Sequence, residues 1–333
     1  MATETNKNPI LQATTWLLLA LSSLVVVFWL LTKFYIKTRT LFVLGDGLML
    51  GSYIFALGES IALIIPSSTA FGRDIAGLSE EQLSDAAKIG YARDILFLLS
   101  IGFSKLSTCE GLRALSPDKL HHLWARGLVI LAVIWTITSV FATAFQCGTS
   151  GPWDKDDAMC INQDAFLKYV NITSILIDAA LIALPIAIIY PLQMALRLRL
   201  TVISFFSFRI IVIAATIPHI VYLESLWTDN YTLLAFPYYI SLQLVLFTSL
   251  LAAYIIYFWP FMRSLQSGLM SANASTLTSQ YPLTRTAKSI TNSTTTKTVT
   301  SSHPNRRGYI EITPAHSLTH LASVKSQPNT PLQ

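Results

Sequence analysis

Ionisable side chains inside apolar stretches are where this chain could do chemistry. Asp46 and Glu59 fall in one such stretch, Asp94, Lys105 and Glu110 in the next, Asp178 in a later one, and Arg209, His219 and Glu224 in the one after that. A charge at the centre of a bilayer costs roughly 2.5–3.5 kcal/mol even on the insertion scale, so residues of this kind are retained for pairing, ligand contact or proton handling. Counting about 1.5 Å of rise per residue from the helix ends places Asp178 level with Arg209, and Asp46 near Lys105 in depth. Two chemistries follow. Opposite charges can hold neighbouring helices in register. Carboxyls facing a cavity can contact a ligand, or act as general acids on a lipophilic substrate, with Asp178 the first to suspect. The two are compatible, because a pair on a cavity wall does both. His121 and His122 lie in a loop and read as solvated. The chain shows no His/Cys spacing of the metal-binding kind, no nucleophile–base spacing and no phosphate-cradling Gly loop, so neither metal nor cofactor is expected.

The elements that must position these residues are seven long apolar stretches between Thr14 and Phe261. Crossing a bilayer takes about 20 apolar residues in a helix, and lipid satisfies no open sheet edge. The expected fold is therefore all-α: a polytopic membrane protein with a seven-transmembrane-helix bundle. The spans are predicted at about Thr15 to Thr32, Leu41 to Ile65, Tyr91 to Leu112, Trp124 to Phe145, Phe166 to Tyr190, Leu200 to Leu223 and Leu233 to Trp259. Composition agrees, with 53% hydrophobic and only 12% charged residues and a mean hydropathy of +0.53, against about 25% charged in soluble domains. The net charge of +5 forms no basic stripe interleaved with aromatics, which argues against nucleic acid as a partner. The lipid bilayer is the expected one. The first stretch reads as a retained helix rather than a signal peptide, because Lys33, Lys37 and Arg39 follow it instead of preceding it.

Lys and Arg in the short loops set the orientation. Lys33, Lys37, Arg39, Arg113, Lys119, Arg126, Arg197, Arg199 and Arg263 fall on one side, close to helix ends. Lys7, Arg73, Lys88, Arg93, Lys155 and Lys168 fall on the other, more sparsely. The first side is predicted to be cytoplasmic. Residues 1–14 are then an extracellular N-terminus, 15–262 the membrane domain, and 263–333 a disordered Ser/Thr-rich cytoplasmic tail, open to a kinase or a signalling partner. The outer loops are acidic, with Glu80, Glu81 and Asp85 in the first and Asp154, Asp156 and Asp157 in the second. Cys147 and Cys160 flank the second outer loop, where an oxidising compartment permits a disulfide; Cys109 lies at the inner end of the third stretch without a partner. Asn230-Tyr-Thr is a glycosylation sequon in the third outer loop, while Asn171 should lie within the fifth helix. Ser79 reads as a helix N-cap before Glu80 and Glu81.

Six motifs, in order, resemble the fungal rhodopsin-like integral membrane family. "RTLFVLGDGLML" is similar to its start of helix two, and "GFSKLSTCEGLRAL" to its end of helix three. Cys147, Trp153 and Cys160 match an outer Cys…Trp…Cys pattern. "IDAALIALPIAIIYPLQM", with Asp178 about two turns before Leu184-Pro185, matches helix five. "FFSFRIIVIAATIPHI" matches helix six and "WPFMRSL" the end of helix seven. The likeness covers roughly Thr14 to Leu265. The chain departs from the pattern at Gly47, where a second aspartate is usual, at Arg209, where Gly is usual, and at Pro218 and His219, near a usual Arg. Gln243 is the nearest polar residue to the acid usual in helix seven.

The resemblance implies a receptor-like or accessory membrane protein that handles a small apolar metabolite, since some members are assigned as surface receptors and others sit in secondary-metabolite gene clusters. It does not imply retinal: a Schiff base needs a Lys in the last helix, and "LLAFPYYISLQLVLFTSLLAAYIIYFW" has none. The alternatives are a cyclase-like membrane enzyme using Asp178, and a small-molecule transporter, against which the lack of an internal repeat argues. The plasma membrane is the expected location, with an endomembrane as the alternative.

Overall fold

A computed structural model describes residues 6–35, 44–65, 68, 70–115, 119–147, 153, 160–190, 196–228 and 230–279, with side chains to Tyr257. The tail from 280 onward and most of the loop between the two outer cysteines lie outside the described residues. Each apolar stretch is helical, and among the described residues there is no strand. The helices are α1 (Asn8–Tyr35), α2 (Leu44–Ile64), α3 (Glu80–Leu115), α4 (Lys119–Ala144), α5 (Gln163–Ile189), α6 (Leu196–Ser207), α7 (Arg209–Tyr222), the short α8 (Tyr231–Leu234) and α9 (Phe236–Ser279). Seven spans are long and apolar enough to cross a membrane; α6 and α7 together make the sixth, and α8 with α9 the seventh.

The bundle is built around two inner helices. The apolar windows of α3 and α9 are each 67% buried, against 28% for α1 and α4. Met49, Leu98, Ile101, Leu181, Leu242 and Leu246 pack between them in one core. The outer helices present Leu17, Leu24, Ile134, Phe141, Ile172 and Leu176 outward, the apolar surface a lipid-facing helix needs. The inner ones bury Ser100, Ser104, Lys105 and Ser107 on α3, and Ser241, Gln243 and Ser249 on α9. Small residues let these helices approach closely. At Gly102 an added Cβ would overlap the side chain of Thr136, so only glycine permits this α3–α4 contact.

Three ends differ most from the sequence reading. α1 starts at Asn8 rather than Thr15, because Asn6 Oδ1 accepts the Asn8 N–H at 3.1 Å and caps the helix early. α3 starts at Glu80, about three turns before Tyr91. Ser79 Oγ accepts the Gln82 N–H at 3.3 Å while Gln82 Oε1 accepts the Ser79 N–H at 3.1 Å, a capping box that nucleates the helix in a polar segment. At about 54 Å, α3 is far longer than a hydrocarbon core of about 30 Å, so part of it must extend past that core. α9 runs on to Ser279, well past Phe261.

The end of the bundle bearing the N-terminus is tied together by backbone contacts. Gly72, at φ 85°, accepts from Lys7 N–H at 2.9 Å and donates to Thr232 O at 2.8 Å. That conformation suits glycine, and a Cβ there would also strike the backbone of Asn8. Asn8 Nδ2 adds a bond to Phe71 O at 2.8 Å. Cys147 and Cys160 are joined in a disulfide at the same end, and Cys109 is a buried free thiol.

Candidate functional site

Two polar clusters occupy the interior. The deeper one centres on Asp178 of α5. Its Oδ1 accepts from Arg209 Nη1, and its Oδ2 lies 2.6 Å from Lys105 Nζ. Lys105 also donates to Ser174 O at 3.1 Å and sits 5.7 Å from the Trp135 ring centre. Arg209 Nη2 reaches Thr108 Oγ1 and Ser104 O. All three charged side chains are at most 1% exposed. The local chain makes this possible: the sixth span breaks at Phe208 between α6 and α7, with the Ile211 N–H turning back to Phe208 O at 3.1 Å. Arg209, the first residue after the break, thus enters the bundle beside α3 and α5.

The level placement of Asp178 and Arg209 is a contact in the structure. Depth counting also sets Asp46 near Lys105 in level, and the Ser107 hydroxyl does reach Gly45 O at 2.9 Å, yet the two charges take different partners. Lys105 turns to Asp178, while Asp46 pairs with Lys33 at the end of α1, itself 5.1 Å from the Trp29 ring centre. Rise along a helix gives depth but not azimuth, and Lys105 faces α5 rather than α2. Both Asp178 oxygens are engaged by cations, so the carboxyl offers no free edge to a substrate. Glu110 pairs with Arg113 on its own helix at 2.6 Å.

The second cluster lies nearer the N-terminal end. Arg93, which the sequence reading sets among the outer-side charges at the start of the third span, is only 2% exposed and lies in the interior of the bundle. Its Nη2 lies 3.2 Å from Asp94 Oδ1, and its Nε lies 3.9 Å from Glu59 Oε1. Glu59, fully buried, accepts from Gln243 Nε2 at 2.7 Å. The guanidinium carbon stands 4.5 Å from the Tyr239 ring centre and 5.7 Å from that of Phe71. Arg93 Nη1 has no hydrogen-bond acceptor among the described residues. His219 stacks on Tyr238 at 4.7 Å, and its Nδ1 lies 3.1 Å from Ser241 Oγ, which places it behind the cluster as a packed ring.

This cluster floors a cavity of about 490 Å³, within the size range of small-molecule sites. The first turns of α3 form one wall with Glu80, Gly90, Tyr91 and Asp94. The start of α5, Trp227, Tyr231, Tyr238 and Tyr239 form the others. Trp153, of the outer Cys…Trp…Cys pattern, joins the rim. The sequence carried one signal for this face: Arg93, Phe97, Ser100, Ser104 and Ser107 recur at helical spacing and are all buried. Asn230, the sequon residue, uses its Oδ1 to accept the Ile75 N–H at 3.2 Å, and the Thr232 hydroxyl beside it is on a fully buried residue. Asn171 lies within α5 and is buried.

With this arrangement in view, comparison with known proteins places the chain. The profile of the fungal rhodopsin domain matches residues 30–263. The chain belongs to the fungal rhodopsin domain family. With its seven apolar helices, it is a multi-pass membrane protein of that family. A relative from Metarhizium anisopliae, named a polyenoic acids biosynthesis gene cluster protein, is 25% identical over 172 residues, 49% of this chain and 47% of the relative. The chain thus spans about half the length of that curated relative. No solved structure matches the chain. Within this fungal rhodopsin domain both clusters fall inside the matched segment.

Proposed function

We propose that this fungal rhodopsin domain protein is a receptor-like or accessory membrane protein that binds a small, largely apolar metabolite in the cavity at its N-terminal end. The observation that carries the reading is the cavity itself: about 490 Å³, aromatic-walled, with a buried guanidinium on its floor. A role in secondary metabolism is supported by the relative from a polyenoic acid gene cluster. The loop Lys/Arg asymmetry supports an outside N-terminus, which puts the cavity and the Cys147–Cys160 bridge on the non-cytoplasmic face. The plasma membrane is the proposed location, with the tail beyond α9 inside, available to a kinase or signalling partner.

The test is co-purification. Protein expressed in a fungal host and purified in lipid nanodiscs should retain a small molecule visible by mass spectrometry, and Gly90→Trp protein should lose it. Gly90 lines the cavity, and an added Cβ there meets nothing within 4 Å, so the substitution fills space rather than forcing the backbone. Identical small-molecule profiles for the two proteins would sink the proposal.

A further inference from the structure

Given the reading that the cavity is the ligand site, the side chains that keep accessible surface within it decide what it takes. On α3 they form a stripe. Leu83, Ala87, Gly90, Tyr91 and Asp94 line the cavity, keep part of their surface accessible, and recur at the three- and four-residue spacing of one helix face. From Leu83 to Asp94 the stripe rises about 16 Å, with no charge until its last member. Asp94 ends it with a carboxylate whose side chain is 31% exposed. Among the described residues Arg93 reaches only Oδ1 of that carboxylate, at 3.2 Å. Charge sets the sign of the partner. Arg93 is the only cation in the lining among the described residues, and it is buried between Glu59 and Asp94. Two carboxylates thus share one guanidinium, and of the three groups Asp94 is the one with accessible surface. Glu80, exposed at the start of α3, adds a further acid to the lining. An anion would be repelled by this arrangement, whereas a cation gains an ion pair that salt screens less than one on the open surface. Elsewhere in the lining Trp153 and Trp227 keep 37% and 42% of their surface accessible, which extends the apolar contact beyond the stripe.

We infer that the cavity takes an elongated organic amine, whose protonated nitrogen pairs with the Asp94 carboxylate and whose apolar body lies along the stripe from Tyr91 to Leu83.

The experiment uses three matched tritiated probes, phenyloctylamine, phenyloctanol and phenyloctanoate, bound to the full chain in phosphatidylcholine nanodiscs at neutral pH, with binding to empty nanodiscs subtracted. The amine should bind saturably and at least about tenfold more tightly than the alcohol, the factor that one hydrogen bond to a charged group makes, and the carboxylate should bind most weakly. Asp94→Asn removes the charge at nearly constant shape and should erase the preference for amine over alcohol. Asp94→Glu keeps the charge and should keep the preference, which separates a lost ion pair from a lost fold. Gly90→Trp should abolish saturable binding of the amine. A preference that survives Asp94→Asn, or that disappears in Asp94→Glu as well, overturns the inference. Tighter binding of alcohol or carboxylate that Gly90→Trp still abolishes overturns it and leaves the cavity as the ligand site. Amine binding unchanged by Gly90→Trp overturns both readings. Absence of saturable amine binding overturns the inference.

Discussion

The two interior clusters are built from the same residue types and do opposite things. Around Asp178, every oxygen is taken by a cation, the cations reach backbone and hydroxyl acceptors on α3 and α5, and the three charged groups are closed off from the surface. Around Arg93, one nitrogen is held at hydrogen-bond distance, one at 3.9 Å, one not at all, and a cavity opens beside it. The Asp178 network fastens α3, α5 and α7 through both carboxylate oxygens, and of its nitrogens Arg209 Nε alone is without an acceptor among the described residues. The Arg93 network is looser, with Nε and Nη1 both without an acceptor among the described residues, and Arg93 and Asp94 line the cavity. The difference lies in the helices: Arg209 enters just after the break at Phe208 and meets α3 and α5 at once, whereas Arg93 is packed between Glu59, Phe71 and Tyr239 beside a cavity.

The sharpest way to break this comparison is to remove the centre of the closed cluster. Asp178→Asn leaves Lys105 and Arg209 as facing buried cations and should cost about 3–5 kcal/mol, read as a collapse of folded yield in detergent size-exclusion. Adding Arg209→Met should restore part of that yield, because one uncompensated cation costs less than two. Strict additivity of the two substitutions would mean that the triad is not an energetic unit.

The next largest effect belongs to the cavity end. Reducing the Cys147–Cys160 bridge, or replacing both cysteines with serine, should cost about 3 kcal/mol in the chain-entropy model. Thermal unfolding followed by a thiol-reactive dye should shift downward, and retained metabolite should fall with it. A variant equal in stability to the parent protein would show that the bridge does not brace this end.

A smaller effect tests whether the first part of α3 is an independent wall. Ser79→Ala removes the capping oxygen that takes the Gln82 N–H and should cost about 1 kcal/mol. Hydrogen exchange should speed up in residues 80–90 and stay unchanged around Lys105. Uniform acceleration along α3 would join the two clusters into one cooperative unit and erase the contrast. Least of all should Gly90→Trp change stability: its unfolding midpoint should match the parent's even as ligand is lost, and a large drop would place the cavity within the core rather than beside it.

Much of this was legible before any coordinates. Apolar run length is a one-dimensional property and so is bilayer thickness, so the seven spans follow from the chain alone. Depth is one-dimensional too, which is why Asp178 and Arg209 could be matched. The cysteine pair was legible because both thiols flank one short loop. What the chain alone determined, then, was the number of helices, their order and the level of each charge. Which charges meet required the tertiary structure, because azimuth depends on how seven helices pack: it paired Lys105 with Asp178 and Asp46 with Lys33, and set Arg93 in the lining of a cavity. The cavity itself is lined by residues of α3, α5, α8 and α9 and of the segments between them. No local pattern encodes an empty volume, since its walls come from segments as far apart as Phe71 and Tyr239.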